Sequence, residues 1–123
     1  MAIGSKGSED VTIFHNPNCG TSRNVLAALR ESGREPKVVE YLKVGWTRSQ
    51  LEGLLTAMKV GARDILRVRG TSAEALGLTK ITTTDTAIIE AMMAEPILVE
   101  RPIVVTPKGA ALCRPAERVR DLL

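Results

Sequence analysis

Two strands joined by a helix, all before residue 43, constrain this chain more than any other feature of its sequence. Val11-Thr-Ile-Phe14 is a β-rich run that ends at His15-Asn16-Pro17-Asn18, where turn formers halt a strand. From Thr21 to Ser32 the residues favour helix, with Val25, Leu26 and Leu29 on one stripe and Gly33 placed as a stop. Lys37-Val-Val-Glu-Tyr-Leu42 reads as a second strand. So short a strand, helix and strand can be closed only by a parallel crossover, so the chain opens as an α/β protein.

The middle of the chain reads as helical. Thr47 and Gln50 have capping-box spacing, and Leu51, Leu54, Leu55 and Met58 follow at helical intervals. Gly61 to Leu66 suggests a further short helix, and Arg67 to Thr82 an irregular loop carrying Gly70 and Gly77. Thr84 is an N-cap for a helix through Ala94, with Ile88, Ile89, Met92 and Met93 as its apolar residues and the methionines as core filler. Arg101 to Thr106 and Ala110 to Cys113 flank a Thr106-Pro107-Lys108-Gly109 turn, which makes a hairpin. Pro115 then suits the first position of a last helix with Val119, Leu122 and Leu123 on its apolar side. The order β-α-β, helices, β-β-α predicts a mixed β-sheet flanked by helices with an inserted helical segment, the thioredoxin-like arrangement. Fold alone does not name a reaction.

With 123 residues, 44% of them hydrophobic, the chain can build a core without staples, and a single domain is expected over 11–123. Residues 1–10, polar and rich in Gly and Ser, read as a disordered tail without the apolar run of a secretory signal. The longest apolar stretches fall far short of the ~20 residues of a spanning helix, so no membrane role is expected. A net charge of +3, interleaved signs and only Phe14, Tyr41 and Trp46 as aromatics argue against a nucleic-acid partner. Two cysteines in unlike contexts do not make a secreted disulfide framework, and a cytoplasmic location follows.

Cys19 carries the strongest chemical signal. It lies in a turn between a strand and a helix, where unpaired backbone N–H groups and the helix dipole favour a thiolate. A buried Cys often serves as a small hydrophobe, but a core Cys seldom sits between Asn-Pro-Asn and Gly-Thr-Ser. The residue three after it is Ser22, so a Cys-x-x-Cys disulfide is excluded, and Val25 stands where a phosphocysteine hydrolase needs Arg. One His and two separated Cys offer no zinc-ligand spacing, so no metal is expected. His15 either helps to ionise Cys19 or simply ends the strand at the surface. Cys113 is either a resolving thiol or, in its apolar strand, a packing residue.

Arginine forks hold tetrahedral oxyanions better than the point charge of Lys. Arg67, Arg101 and Arg114 each adjoin a structural break and are the candidates, while Arg23, Arg30, Arg34, Arg48, Arg63, Arg69, Arg118 and Arg120 read as solvated surface residues. Spacing alone does not bring the three candidates together.

The segment His15-Asn-Pro-Asn-Cys-Gly-Thr-Ser-Arg-Asn24 resembles the signature of the glutaredoxin-coupled arsenate reductases. Ile65-Leu-Arg67, Ala94 to Gly109 and Leu112-Cys-Arg-Pro115 resemble that family's other segments in the same order, so the likeness covers nearly all of Val11 to Leu123. The stretch Val68 to Ile81 departs from the pattern. The resemblance implies Cys19 as nucleophile, Arg67, Arg101 and Arg114 around the oxyanion, His15 and Ser22 as supporting residues, and a cis Arg101-Pro102 bond. It also implies arsenate as substrate, glutathione as co-substrate, glutaredoxin as partner and no bound cofactor. The rival expectations are a redox-sensing thioredoxin-like regulator that binds a protein partner and a monothiol glutaredoxin, neither of which has use for three such arginines.

Overall fold

The computed structural model of the protein describes residues 10–123. The tail expected over 1–10 therefore lies, apart from Asp10, outside the described residues. These residues fall into two compact units, one made of the chain up to Tyr41 together with Arg101–Leu123, the other of Leu42–Glu100.

The first unit is built on a four-stranded mixed sheet in the order β2-β1-β3-β4, with β1 at Thr12–His15, β2 at Lys37–Glu40, β3 at Ile103–Thr106 and β4 at Gly109–Leu112. β1 and β2 are parallel, joined by helix α1 over Gly20–Glu31, as the opening of the sequence predicts. β3 runs antiparallel to β1 and forms the expected hairpin with β4. At the hairpin turn the Lys108 N–H donates to Thr106 Oγ1 at 3.1 Å, and that hydroxyl donates to the Leu122 carbonyl at 2.8 Å. One face of the sheet contributes Val11, Ile13 and Val104 to a buried cluster completed by Val25 and Leu29 of α1, Cys113, Val119 and Leu122. This apolar layer removes α1's stripe from water, at about 25 cal/mol per Å² of area buried.

Two elements of this unit differ from expectation. The second strand ends at Glu40 instead of Leu42, and Tyr41–Val44 forms the short helix α2. The strand's only ladder neighbour among the described residues, β1, stops opposite it at the His15–Glu40 pair, and the Pro17 that follows has no N–H to continue the pairing. The last helix is 3-10, over Ala116–Leu122, with Pro115 at its N-cap and not inside it. Ala116, Val119 and Leu122 recur every third residue, so three residues per turn bring all three to the same apolar face.

In the second unit α3 spans Arg48–Met58, and the predicted capping box is formed: Gln50 N–H donates to Thr47 Oγ1 at 3.0 Å and Thr47 N–H to Gln50 Oε1 at 2.9 Å. A 3-10 turn follows at Ala62–Ile65, then α4 at Asp85–Ala94 behind the Thr84 N-cap, and a second 3-10 turn at Pro96–Leu98. α3 packs on α4, with Leu51, Leu54, Leu55, Ile88, Ile89 and Met92 buried. Met92 fills core as expected, but Met93 is 38% exposed and does not. The irregular stretch before α4 is shaped by an arginine the sequence had suggested was solvated: Arg63 donates from Nη2 to the Thr83 carbonyl at 2.8 Å and from Nη1 to that of Leu78 at 3.4 Å. Among the described residues no helix is long and apolar enough to cross a membrane.

Candidate active site

The strand order brings three distant parts of the sequence to one end of the sheet. β1 finishes where β3 begins, since Phe14 pairs with Ile103, and β4 finishes at the same end, since Ile103 pairs with Leu112. The loop after β1, the residue two before β3 and the residue two after β4 therefore emerge side by side. These carry Cys19, Arg101 and Arg114. The peptide bonds Arg101-Pro102 and Arg114-Pro115 are both cis, the first of them as the resemblance implies.

Cys19 is the N-cap of α1, with extended backbone (φ −103°, ψ 121°), and its own N–H donates to the Asn16 carbonyl at 3.0 Å. Its sulfur accepts from Arg114 Nη1 at 3.7 Å, and the same nitrogen donates to the Arg101 carbonyl at 3.0 Å. Burial alone would raise the thiol's pKa. The Ser22 backbone N–H, the donors of Arg101 and Arg114 and the charge of Arg101 outweigh it, so Cys19 is held below the ordinary 9.0 and the thiolate is favoured. Arg101 has capacity to spare: its Nε and Nη1 are buried and have no hydrogen-bond partner among the described residues. A half-buried guanidinium with unpaired N–H groups beside a thiolate has the chemistry to receive a further anion.

His15 is buried and is not the surface strand-ender that was one of its two readings. Nor is its hydrogen bond to the sulfur: Nδ1 lies 2.7 Å from Ser22 Oγ, which also accepts from the Asn16 N–H at 3.1 Å. Burial lowers its pKa below 6.5, Glu40 opposes this, and Arg30 and Arg23 add to it, so the ring is neutral at neutral pH. His15 and Ser22 thus tie the start of the Cys19 loop to the first turn of α1. Asn16, which sequence reasoning did not single out, does most of the folding of that loop, because its Oδ1 accepts from Asn18 N–H at 2.9 Å as its backbone serves Ser22 and Cys19. The Asn-Pro-Asn turn was the available signal for it.

The two remaining candidates part company. Cys113 is fully buried in the apolar cluster, and burial pushes its thiol up to about 11. It is a packing residue. Arg67 belongs to the second unit, where the Leu66–Val99 bridge fixes its backbone and its Nη1 pairs with Glu100 Oε1 at 2.9 Å.

A thiol so placed, between a strand end and a helix start with arginines from the two ends of a hairpin, has counterparts of known name. The ArsC family model matches residues 14–122. Arsenate reductase ArsI2 of a Synechocystis species is 52% identical over 113 residues, covering 92% of this chain and 81% of that one. The arsenate reductase of Escherichia coli is 46% identical over 114 residues, covering 93% of this chain and 81% of its own. Among solved structures, an arsenate reductase from Vibrio cholerae superposes with a TM-score of 0.87 at 35% identity, over 92% of this chain and 97% of that chain. The fold is accordingly thioredoxin-like, and with the match running from the last two residues of β1 to the end of the final 3-10 helix, the chain belongs to the ArsC family.

Proposed function

We propose that the protein reduces arsenate to arsenite, with the Cys19 thiolate as nucleophile and Arg101 and Arg114 holding the oxyanion. The observation that carries this reading is the pair of buried, unpartnered nitrogens of Arg101, Nε and Nη1, next to a sulfur that other donors keep ionisable. Such donors stabilise charge on oxygens as they leave or regroup around the attacked atom. Arg67 joins them as a third donor on the strength of the family resemblance, and His15 and Ser22 act by bracing the loop.

In the proposed sequence the thiolate attacks arsenic(V), an S–As bond forms and an arsenate oxygen departs as water after taking up protons. A glutathione thiolate then attacks the Cys19 sulfur. The S–As electron pair passes to arsenic, which leaves as arsenite in the trivalent state, and Cys19 is left disulfide-linked to glutathione. Glutaredoxin returns it to the thiol by exchange. Cys113 takes no part, because its buried thiol is protonated at the pH where Cys19 works. Two unpaired cysteines fit the reducing cytoplasm as the setting.

The test is arsenite formation from arsenate, glutathione and glutaredoxin. Cys19→Ser should abolish turnover, and Arg101→Lys and Arg114→Lys should each lower kcat/KM on the order of 100-fold by losing a fork of donors. Arg67→Lys is expected to fall in the same direction. Equal rates for wild type and Cys19→Ser would refute the mechanism.

A further inference from the structure

Arg23 is exposed, as a surface arginine is expected to be, yet its side chain has a definite partner. Its Nη1 donates to the Pro17 carbonyl at 2.8 Å, while its own N–H donates to the Cys19 carbonyl at 3.0 Å in the first turn of α1. Standing four residues after Cys19, it lies on the same face of the helix. Its side chain therefore spans the nucleophile, tying the residue two before Cys19 to the turn that follows it.

The rest of the loop is held through Asn16 alone: Asn16 N–H to Ser22 Oγ, Cys19 N–H to the Asn16 carbonyl and Asn18 N–H to Asn16 Oδ1. Pro17 contributes no N–H, both Pro17 and Asn18 are exposed, and that set holds the Pro17-Asn18 peptide only by its N–H, leaving its carbonyl without a partner. The arginine supplies the missing tie. We propose that Arg23 is a positioning residue for Cys19, clamping the Pro17 carbonyl so that the sulfur stays in line with the donors of Ser22, Arg101 and Arg114. This rests on Cys19 being the reactive thiolate. The charged or titratable groups around that thiol are Arg101, Arg114, His15 and Arg23 itself; the charge bearing on the sulfur is Arg101's, whereas that of Arg23 bears on His15. The action assigned to Arg23 is therefore geometric.

The experiment is the pH profile of Cys19 alkylation by iodoacetamide, which needs neither arsenate nor a partner protein. Arg23→Met keeps the stem and removes the donors. Its alkylation midpoint should rise by roughly half a pKa unit, leaving about threefold less thiolate near neutrality. Hydrogen exchange at the Cys19 amide should speed up in the same variant, with an unchanged melting temperature showing that the fold is intact. If midpoint and amide exchange both match wild type, Arg23 is a solvated cation and the proposal is overturned. If the gap between the wild-type and Arg23→Met midpoints closes in high salt, the charge of Arg23 and not the clamp is responsible, and the proposal fails again. A wild-type midpoint at the ordinary thiol value would instead sink the thiolate reading on which the proposal stands.

Discussion

Cys19 and Cys113 carry the same side chain and are driven in opposite directions by their surroundings. At Cys19, backbone and guanidinium donors overcome burial; at Cys113 an apolar shell leaves burial in command, and the thiol is pushed up to about 11. Native protein treated with an alkylating reagent at mildly alkaline pH should therefore take a label at Cys19 and none at Cys113, with both labelled after denaturation. Peptide mass mapping reads the result, and native labelling of Cys113 would contradict its place in the core. Cys113→Ser should keep turnover. The reactive nature of Cys19 was legible from its neighbours in sequence because the turn and the helix start are local features. The alternatives for His15 and Cys113 stayed open because burial is decided by residues far along the chain, such as Val104 and Val119 around Cys113.

Elements were legible where their signals were local. The Thr47–Gln50 capping box is formed as its spacing implies, and Thr84 caps α4. Replacing Thr47 by Ala should cost about 1 kcal/mol and lower the thermal midpoint without touching alkylation of Cys19. A Thr47→Ala protein as stable as wild type would show that packing of α3 on α4, and not the cap, fixes the start of that helix. Where the sequence misled, a neighbour made the difference. β2 stops short because β1 offers no partner beyond His15, and the terminal helix tightens to 3-10 because its apolar residues repeat every three. Arg63 is exposed, as a surface arginine should be, and only the fold shows that it also binds the carbonyls of Leu78 and Thr83.

For the molecule as a whole, the buried neutral His15 ties stability to pH. Its folded-state pKa lies below 6.5, so as pH falls the unfolded chain takes up the proton first and unfolding gains. The contribution is therefore complete above pH 6.5 and is lost progressively as pH drops through the folded value. Thermal melts from about pH 7.5 to about pH 5.5 should show a decline that His15→Gln flattens, and parallel slopes for the two proteins would remove His15 as the cause. The mixed sheet, its flanking helices and the family were all within reach of the sequence. The meeting of Arg101 and Arg114 at Cys19 was implied by the resemblance but not by spacing, because only strand pairing turns residues so distant in the chain into neighbours. That same pairing has a practical corollary. The Pro107-Lys108 turn lies at the opposite end of the strands from the reactive sulfur, exposed and away from the donors. A linker inserted there would tether the protein to a bead or electrode with its working end facing the solution.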